Sequence, residues 1–357
     1  MQNEKLKPSL IIPIGLMLFS FFFGAGNLIF PPVLGQMAGE NIGWGMLGFC
    51  LSGVGFPLLG VLAVTMKKSD NPDAIAMPMH PLYARAVTVL CALAIGPLFA
   101  IPRTAAVSFD TGISALLPAA FDGFGLPLYS VFFFILTYFF SINPSKIIGN
   151  IGNFLSPMLL ICLGVLVVCV LVNPTGSLQM PNPEFTATPF FRGFQEGYNT
   201  MDLLAAILFG SITIKAIEAQ GITDKAVLTK LCSYAGLIAA FFLAIIYVAL
   251  AYTGALSINV FGVIPNGATL LSKICTYYMG FGGQIVLALI IFFACLTTSI
   301  GLTTAISGYF AELSNNRIQY ERLVLFISVF SLFVANFGLE NIIHFSIPVI
   351  CMLYPII

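Results

Sequence analysis

Long apolar stretches separated by short polar segments run along almost the whole chain of 357 residues. Because a helix needs about 20 apolar residues to cross a bilayer, the pattern predicts ten transmembrane helices in one domain, residues 1–357. Spans 1–5 cover about residues 9–172 and spans 6–10 about residues 190–357, with the tenth span incomplete. The predicted spans are about 9–34, 42–66, 83–117, 125–142, 147–172, 190 onward (cleanly apolar from 203), 228–256, 281–311, 323–337 and 341–357.

Glycine and polar residues interrupt two of these stretches, at Gly24–Asn27 in span 1 and at Gly197–Asp202 in span 6. A break at membrane depth frees backbone groups that need a partner inside the protein. Paired breaks in corresponding spans indicate a transporter's binding site, whereas close helix packing through glycine is the alternative. The candidate substrate-binding residues are Gly24, Ala25, Gly26, Asn27, Gly197, Tyr198, Asn199, Thr200 and Asp202.

The composition indicates an all-α polytopic membrane protein, with 59% hydrophobic and 8% charged residues, against about 25% charged residues in soluble domains. The zero net charge gives no reason to expect a nucleic-acid partner. The eight cysteines are scattered, so a metal or disulfide framework is not expected. Neither a Ser/His/Asp order, a phosphate loop nor an H-E-x-x-H motif occurs, so the sequence predicts neither an enzyme nor a cofactor.

Basic residues are distributed unequally between the two ends of the predicted bundle. Eleven of the 14 lysines and arginines fall at the end that carries the N-terminus, two fall at the other end, and Arg103 lies within span 3. Since cytoplasmic loops carry an excess of Lys and Arg, the N-terminus is predicted to be cytoplasmic. The two halves then start from opposite sides, as an inverted repeat requires.

Three charged residues are predicted at membrane depth: Arg103, Asp110 and Asp202. A charge at a helix centre costs about 2.5–3.5 kcal/mol, so each should be paired or functional. We expect Arg103 to be held by a carboxylate or by helix-end carbonyls, either as a structural brace or in substrate and ion handling. Asp202 is the stronger ligand candidate, with N-capping of the inner half-helix as its alternative.

The segments FFFGAGNLIFPP, GPLFAIPRTAAVSFD, FQEGYNTMDLLAAILFG, ACLTTSIGLT and SIPVICMLYP resemble the bacterial branched-chain amino acid:cation symporter family, within the amino acid–polyamine–organocation superfamily. The resemblance implies sodium-coupled uptake of leucine, isoleucine and valine by alternating access across the bacterial inner membrane. It also implies a leucine-transporter-like 5+5 inverted repeat with broken helices 1 and 6. Family members continue beyond helix 10, so it implies that this chain, which ends at Ile357, is C-terminally truncated.

The resemblance further implies that helices 1 and 8 hold the coupling sodium. Carbonyl groups of Phe23 and Gly24 are the expected ligands from helix 1, and the hydroxyl of Thr298 is the expected ligand from helix 8. Thr297 and Ser299 are weaker candidates in the same run. The expected partners are the three branched-chain amino acids, sodium and membrane lipid.

Two alternative functions remain open at this point. The first is a proton-coupled amino acid permease, in which Asp202, Asp110 or His344 would be the titrating group. The second is a transport-inactive truncated membrane subunit or amino acid sensor.

Overall fold

A computed structural model describes residues 8–67, 71–117, 123–174 and 176–353. It is 86% helical, and these ranges contain no β-strand, which confirms the all-α prediction. The helices are α1 (Pro8–Phe22), α2 (Ala25–Ala38), α3 (Ile42–Cys50), α4 (Phe56–Met66), α5 (Pro81–Leu93), α6 (Ala100–Val107), α7 (Gly125–Ser141), α8 (Ser156–Val172), α9 (Pro183–Ala187), α10 (Pro189–Tyr198), α11 (Asp202–Glu218), α12 (Lys225–Phe261), α13 (Gly267–Leu313), α14 (Tyr320–Ala335) and α15 (Leu339–Leu353). Such a fold satisfies backbone polar groups within each helix, as a bilayer requires.

By length and composition, five helical stretches in the described ranges could cross a membrane: Ala25–Met66, Pro81–Ile113, Pro144–Val172, Lys225–Phe261 and Gly267–Leu313. Two bent pairs raise the number to seven if each is one span: α10 with α11, bent by 50°, and α14 with the start of α15, bent by 107°. Together with the shorter apolar helices α1 and α7, these elements place helix within each of the ten predicted spans, while residues 354–357 of the tenth lie outside the described residues. The number of crossings and the inverted repeat stay predictions.

Both predicted breaks are present, and both are shorter than the sequence suggested. α1 ends at Phe22 and α2 begins at Ala25, so Ala25–Asn27 form the first turn of the second half-helix instead of an open segment. The second break is also shorter, since α10 continues to Tyr198 and α11 begins at Asp202. The first interruption is therefore confined to residues 23–24 and the second to residues 199–201.

Four π-helical turns occur in the described ranges, at Leu51–Gly55, Ala94–Leu98, Ser108–Ile113 and Ile148–Leu155. The first joins α3 to α4 and the last leads into α8. In the second, Pro97 lacks an N–H group to continue the helix, and the preceding Gly96 leaves helical geometry at φ −91° and ψ −126°. Such turns are frequent at functional sites.

The second half of the chain departs from the predicted boundaries at one loop. Residues 257–280 lie between the predicted spans 228–256 and 281–311, but α12 continues to Phe261 and α13 begins at Gly267. α13 bends at Gly280, where φ is 56°. Because glycine adopts positive φ without steric cost, this bend marks the predicted start of span 8 at residue 281.

Glycines allow α3 and α10 to pack backbone to backbone. A Cβ atom added at Gly193 would meet the carbonyl oxygen of Gly45, and one added at Gly48 would meet that of Phe190. At Gly197, an added Cβ would lie 2.6 Å from the carbonyl oxygen of Phe49. Small residues at such spacing are typical of helix contacts in membranes.

Polar segments gather at two opposite ends of the bundle. At one end, the Tyr309 hydroxyl donates to Oδ1 of Asp73 at 2.9 Å; at the other, Nε2 of Gln36 donates to the Ser257 hydroxyl at 2.9 Å. We call the first the basic end because it carries Lys67, Lys146, Lys215, Lys225 and Arg317. The predicted binding region lies between these two ends.

Candidate functional site

A small central cavity of about 40 Å³ lies between the two helix breaks. Its walls come from α1, α2, α6, α11 and α13 and include most of the predicted site. The predicted residues that line it are Gly24, Ala25, Gly26, Asn27, Arg103, Thr200, Asp202 and Thr298. The structure thus brings together residues that are up to 274 positions apart in the chain, from Gly24 to Thr298.

Asn27 connects the two breaks through its side-chain amide. Its Oδ1 accepts a hydrogen bond from the Gly24 N–H at 3.2 Å, and its Nδ2 donates to Oδ2 of Asp202 at 2.6 Å and to the Tyr247 hydroxyl. Tyr247 donates to the same carboxylate oxygen at 3.4 Å. The three side chains are 2%, 5% and 0% exposed for Asn27, Asp202 and Tyr247. A carboxylate in this position is shielded from water and held by neutral donors.

Asp202 opens α11 directly after Met201, whose φ of 65° lies in the left-handed region. Met201 occupies the N-cap position, and no side chain caps the helix there. The N-cap alternative for Asp202 is therefore wrong, because its carboxylate reaches across to Asn27. Its negative charge is still favoured at this place, because the start of a helix is positive.

Two helix starts face the cavity, Ala25 of α2 and Asp202 of α11. Backbone N–H groups at a helix start attract a carboxylate, and the Asp202 carboxylate attracts a cation or an ammonium group. The cavity therefore offers both signs of charge, an arrangement that suits a zwitterion.

Arg103 lines the cavity from α6 and interacts electrostatically with Asp202. The ion pairs within 4 Å in the described ranges join other residues, Arg192 with Glu184 and Lys215 with Glu312. The direct carboxylate contact that we expected for Arg103 is therefore absent there. The Asp202 carboxylate accepts hydrogen bonds from Asn27 and Tyr247 instead.

Thr298 meets the end of α1 as the resemblance implied, but with different carbonyl partners. Its hydroxyl donates to the carbonyl oxygens of Phe21 at 3.2 Å and of Ser20 at 3.4 Å. The expected carbonyls were those of Phe23 and Gly24. Because α1 ends at Phe22, the carbonyls freed by the break belong to its last turn.

Several predicted residues lie outside the cavity lining. Phe23 packs its ring against Phe19 and Tyr247, with centroids 5.3 and 6.1 Å apart. Thr297 donates to the Ser20 carbonyl at 3.0 Å, and Ser299 shares a hydrogen bond with Thr137 of α7 at 3.2 Å. These positions are buried contacts between helices.

Gly197, Tyr198 and Asn199, at the start of the second break, also lie outside the cavity lining. Gly197 lies against the helix that contains α3, which supports the packing alternative for this glycine. Tyr198 packs edge-on against Phe194 with ring centroids 4.9 Å apart. Asn199 is exposed, and its Nδ2 donates to Oε2 of Glu196 at 3.0 Å.

Asp110 is exposed near the end of the stretch Pro81–Ile113, in the last π-helical turn of that stretch. Asp110 still lies within this candidate membrane span, three residues before its end, so its depth in the membrane stays a prediction. His344 is exposed on α15 and does not line the cavity.

Two parts of the site could not be identified from the sequence. Tyr247 lies inside the uniformly apolar stretch of α12, where a single hydroxyl does not stand out. The apolar wall comes from aromatic residues on α1 and α11, with Phe209 stacked on Phe21 at 5.0 Å and edge-on to Phe22 at 5.3 Å. Among 34 phenylalanines, only the fold identifies these three.

A family described as branched-chain amino acid transport protein matches residues 7–357 of the chain. The branched-chain amino acid permease BrnQ of Bacillus subtilis (strain 168) is 46% identical over 354 residues, 99% of this chain and 80% of that protein. The permease BrnQ of Escherichia coli (strain K12) is 38% identical over 355 residues, 99% of this chain and 79% of that protein.

A solved structure, that of MhsT in complex with L-phenylalanine, superposes with a TM-score of 0.60. The alignment covers 92% of this chain and 79% of that one, at 16% sequence identity. At this identity the likeness concerns the fold alone. It supports the leucine-transporter-like fold that the family resemblance implied.

Proposed function

Because the chain belongs to the branched-chain amino acid transport protein family, we propose that it carries leucine, isoleucine and valine into a bacterial cell together with sodium. It is a transporter and not an enzyme. The observation that carries the proposal is the central cavity, where two helix starts, a buried carboxylate and an aromatic wall meet at the paired breaks. The proposed location is the inner membrane, with the basic end in the cytoplasm.

The substrate proposal follows from the charges and walls of the cavity. The helix starts at Ala25 and Asp202 suit the carboxylate of an amino acid, and the Asp202 side chain suits its ammonium group. Phe21, Phe22 and Phe209 provide the apolar surface for a branched side chain. The present volume of about 40 Å³ is well below the roughly 300 Å³ of small-molecule pockets, so substrate entry requires the two breaks to move apart.

The sodium proposal is supported by the oxygen atoms around Thr298. Its hydroxyl and the carbonyls of Ser20 and Phe21 lie at the end of α1, and carbonyls at a broken helix are a common source of sodium ligands. In this proposal the ion replaces the Thr298 hydroxyl hydrogen bonds as it binds. It also neutralises the carbonyl end of α1, which favours the adjacent binding of a zwitterion.

Purified protein in liposomes tests the proposal through uptake of labelled leucine. An inward sodium gradient at equal pH on both sides should drive accumulation above the equilibrium level, and unlabelled isoleucine or valine should compete. The sodium ionophore monensin should abolish accumulation, and protein-free liposomes provide the background. Accumulation driven only by a proton gradient in sodium-free buffer would contradict sodium coupling.

Proton coupling is the second candidate, and one observation favours it. Asp202 is 5% exposed and lies between the two breaks, where a proton could neutralise its charge in place of a metal ion. The same liposomes distinguish this candidate, since acidifying the outside would then drive uptake without sodium. Leucine binding without net uptake under either gradient would instead favour the sensor alternative.

A further inference from the structure

A second cavity, of about 320 Å³, opens at the basic end between α11 and α13. The segments around Pro72 and Pro144 complete its walls. We call this cavity the vestibule. Its volume lies in the range of roughly 300–1,000 Å³ that is usual for small-molecule sites, and it is about eight times that of the central cavity.

Two opposite charges in the lining of the vestibule are in direct contact with each other. Lys215 of α11 and Glu312 of α13 form an ion pair, with side chains 29% and 43% exposed. An ion pair with this exposure contributes little to stability, because water screens it. A ligand that carries both charges can therefore replace this ion pair with one ion pair to Lys215 and one to Glu312, at little cost in stability.

The wall between these charges and the central cavity is mostly apolar. Ile212 and Ala216 contribute from α11, and Ala305 contributes from α13. The hydroxyls of Ser211 and Thr304 donate to carbonyls one turn earlier in their own helices, at 3.1 and 2.8 Å. The wall therefore presents a surface that fits a small aliphatic side chain.

The vestibule lies next to the central cavity along α11 and α13. Phe209 and Leu302 line the central cavity, and Ser211 and Thr304 line the vestibule two positions further along the same two helices. At a rise of about 1.5 Å per residue, only a thin layer of side chains separates the two spaces. A solute that leaves the central cavity toward the basic end enters the vestibule next.

We propose that the vestibule is a second binding site, for a free α-amino acid with an aliphatic side chain. Its carboxylate binds Lys215, its ammonium group binds Glu312, and its side chain packs on Ile212 and Ala305. This inference rests on the proposed function, because release through the basic end is what loads the site. It adds a position on the path at which the amino acid pauses after the central cavity.

Gly308 offers a place for a reporter inside the vestibule. A Cβ atom added there has a single neighbour within 4 Å, Nζ of Lys215 at 3.9 Å. We therefore suggest Gly308→Cys in a chain whose native cysteines are replaced by serine or alanine. Bound amino acid should shield this thiol from a maleimide reagent in detergent-solubilised protein.

We expect leucine to slow labelling of Gly308→Cys in a saturable way. 4-Methylpentanoate is leucine without the ammonium group and 3-methylbutylamine is leucine without the carboxylate, so each should require at least a tenfold higher concentration. Lys215→Met should raise the leucine concentration for half-protection at least tenfold, and Lys215→Arg should restore it. Lys225→Met removes a charge at the basic end outside the vestibule lining and should leave protection unchanged.

A variant in the central cavity shows whether the two sites are separate. Gly26→Leu fills the central cavity, yet leucine should still protect Gly308→Cys. Loss of protection in this variant, or equal protection by the singly charged analogues, would overturn the second site. If the wild-type chain accumulates leucine while the thiol stays unprotected, only this inference fails; if uptake is absent while protection persists, only the transport proposal fails.

Discussion

Thr298 is the residue at which the sodium proposal can be tested most directly. Thr298→Val keeps the shape of the side chain but removes the oxygen that lies beside the Ser20 and Phe21 carbonyls. We expect the sodium concentration for half-maximal leucine uptake to rise several-fold. Because the two binding events are linked, leucine affinity at fixed sodium should fall by the same coupling.

Ser299→Ala is the matched control for Thr298→Val. Its hydroxyl is next in sequence but faces Thr137 of α7 at 3.2 Å, so the sodium dependence of uptake should stay at the wild-type value. Unchanged sodium dependence in both variants would exclude α13 as the source of the ion ligand, and Asp202 would become the next candidate.

Tyr247 is predicted to position the Asp202 carboxylate. Tyr247→Phe removes a hydroxyl that donates to Asp202 and accepts from Asn27. Since a hydrogen bond to a charged group contributes about 1.5–3 kcal/mol, we expect leucine half-saturation in uptake to rise roughly tenfold or more.

Tyr129→Phe serves as the control for the tyrosine substitution. Its hydroxyl shares a hydrogen bond with Ser108 at 2.6 Å and does not line the central cavity. Thermal stability should fall to a similar extent in both variants, whereas leucine half-saturation should change only in Tyr247→Phe. If Tyr247→Phe lowered thermal stability but left leucine half-saturation unchanged, Tyr247 would have a purely structural role.

At the scale of single residues, site residues can be recognised in the sequence where a polar residue interrupts an apolar run. Residues that join the site only through the fold cannot be recognised in this way. Asn27 and Asp202 stand out because a polar group at membrane depth is costly, whereas Thr298 was indicated only by the family resemblance. Tyr247 does not, since a tyrosine is ordinary in a helix of mixed apolar residues. The Ser20 carbonyl could not be assigned either, because backbone groups carry no sequence signal.

At the scale of helices, glycine has two separate roles at the breaks. Gly26 faces the central cavity, and the nearest neighbours of a Cβ atom added there would be the Phe30 ring at 3.1 Å and the Asn199 carbonyl oxygen at 3.7 Å. Gly197 faces the helix that contains α3, where no such atom fits. Residue spacing is similar in both breaks, so the sequence alone could not separate a binding role from a packing role.

We therefore predict that Gly197→Ala destabilises the protein by about 1–3 kcal/mol, the usual cost of overpacking. The added methyl group would lie 2.6 Å from the Phe49 carbonyl oxygen, and the two helices would have to separate. A thermal melt of the detergent-solubilised protein measures the effect.

Gly164→Ala is the matched control for this packing prediction. It lies inside α8 with no atom within 4 Å of the added methyl group. Because alanine favours helix over glycine by about 1 kcal/mol, this variant should melt at the same temperature or higher. A melting temperature for Gly197→Ala at or above that of Gly164→Ala would contradict close packing of α10 on α3.

At the scale of the whole molecule, the distribution of basic residues predicts a cytoplasmic basic end. A cysteine placed at Lys225 should resist an impermeant thiol reagent in intact cells, whereas one placed at Lys273 should react. Both variants should react after the cells are opened. Efficient labelling of position 225 from outside would reverse the predicted orientation.

The arrangement of the bundle could be predicted from hydropathy because each span must satisfy its own backbone. The ten apolar runs and both breaks follow from that rule, and the structure has helices at each run. The vestibule could not be predicted in this way. Lys215 and Glu312 are 97 residues apart, and each is an ordinary charged residue near a helix end until the fold places them together.

The break between α10 and α11 lies beside the π-helical turn of Leu51–Gly55. A Cβ atom added at Gly53 would lie 3.5 Å from the carbonyl oxygen of Gly197, while α10 packs on α3 and α11 packs on α4. We therefore expect α3 with α10, and α4 with α11, to move as two units about this break. If α10 tilts during transport, α3 should tilt with it and the contact between them should not slide. The tight glycine packing would then be kept when the central cavity opens.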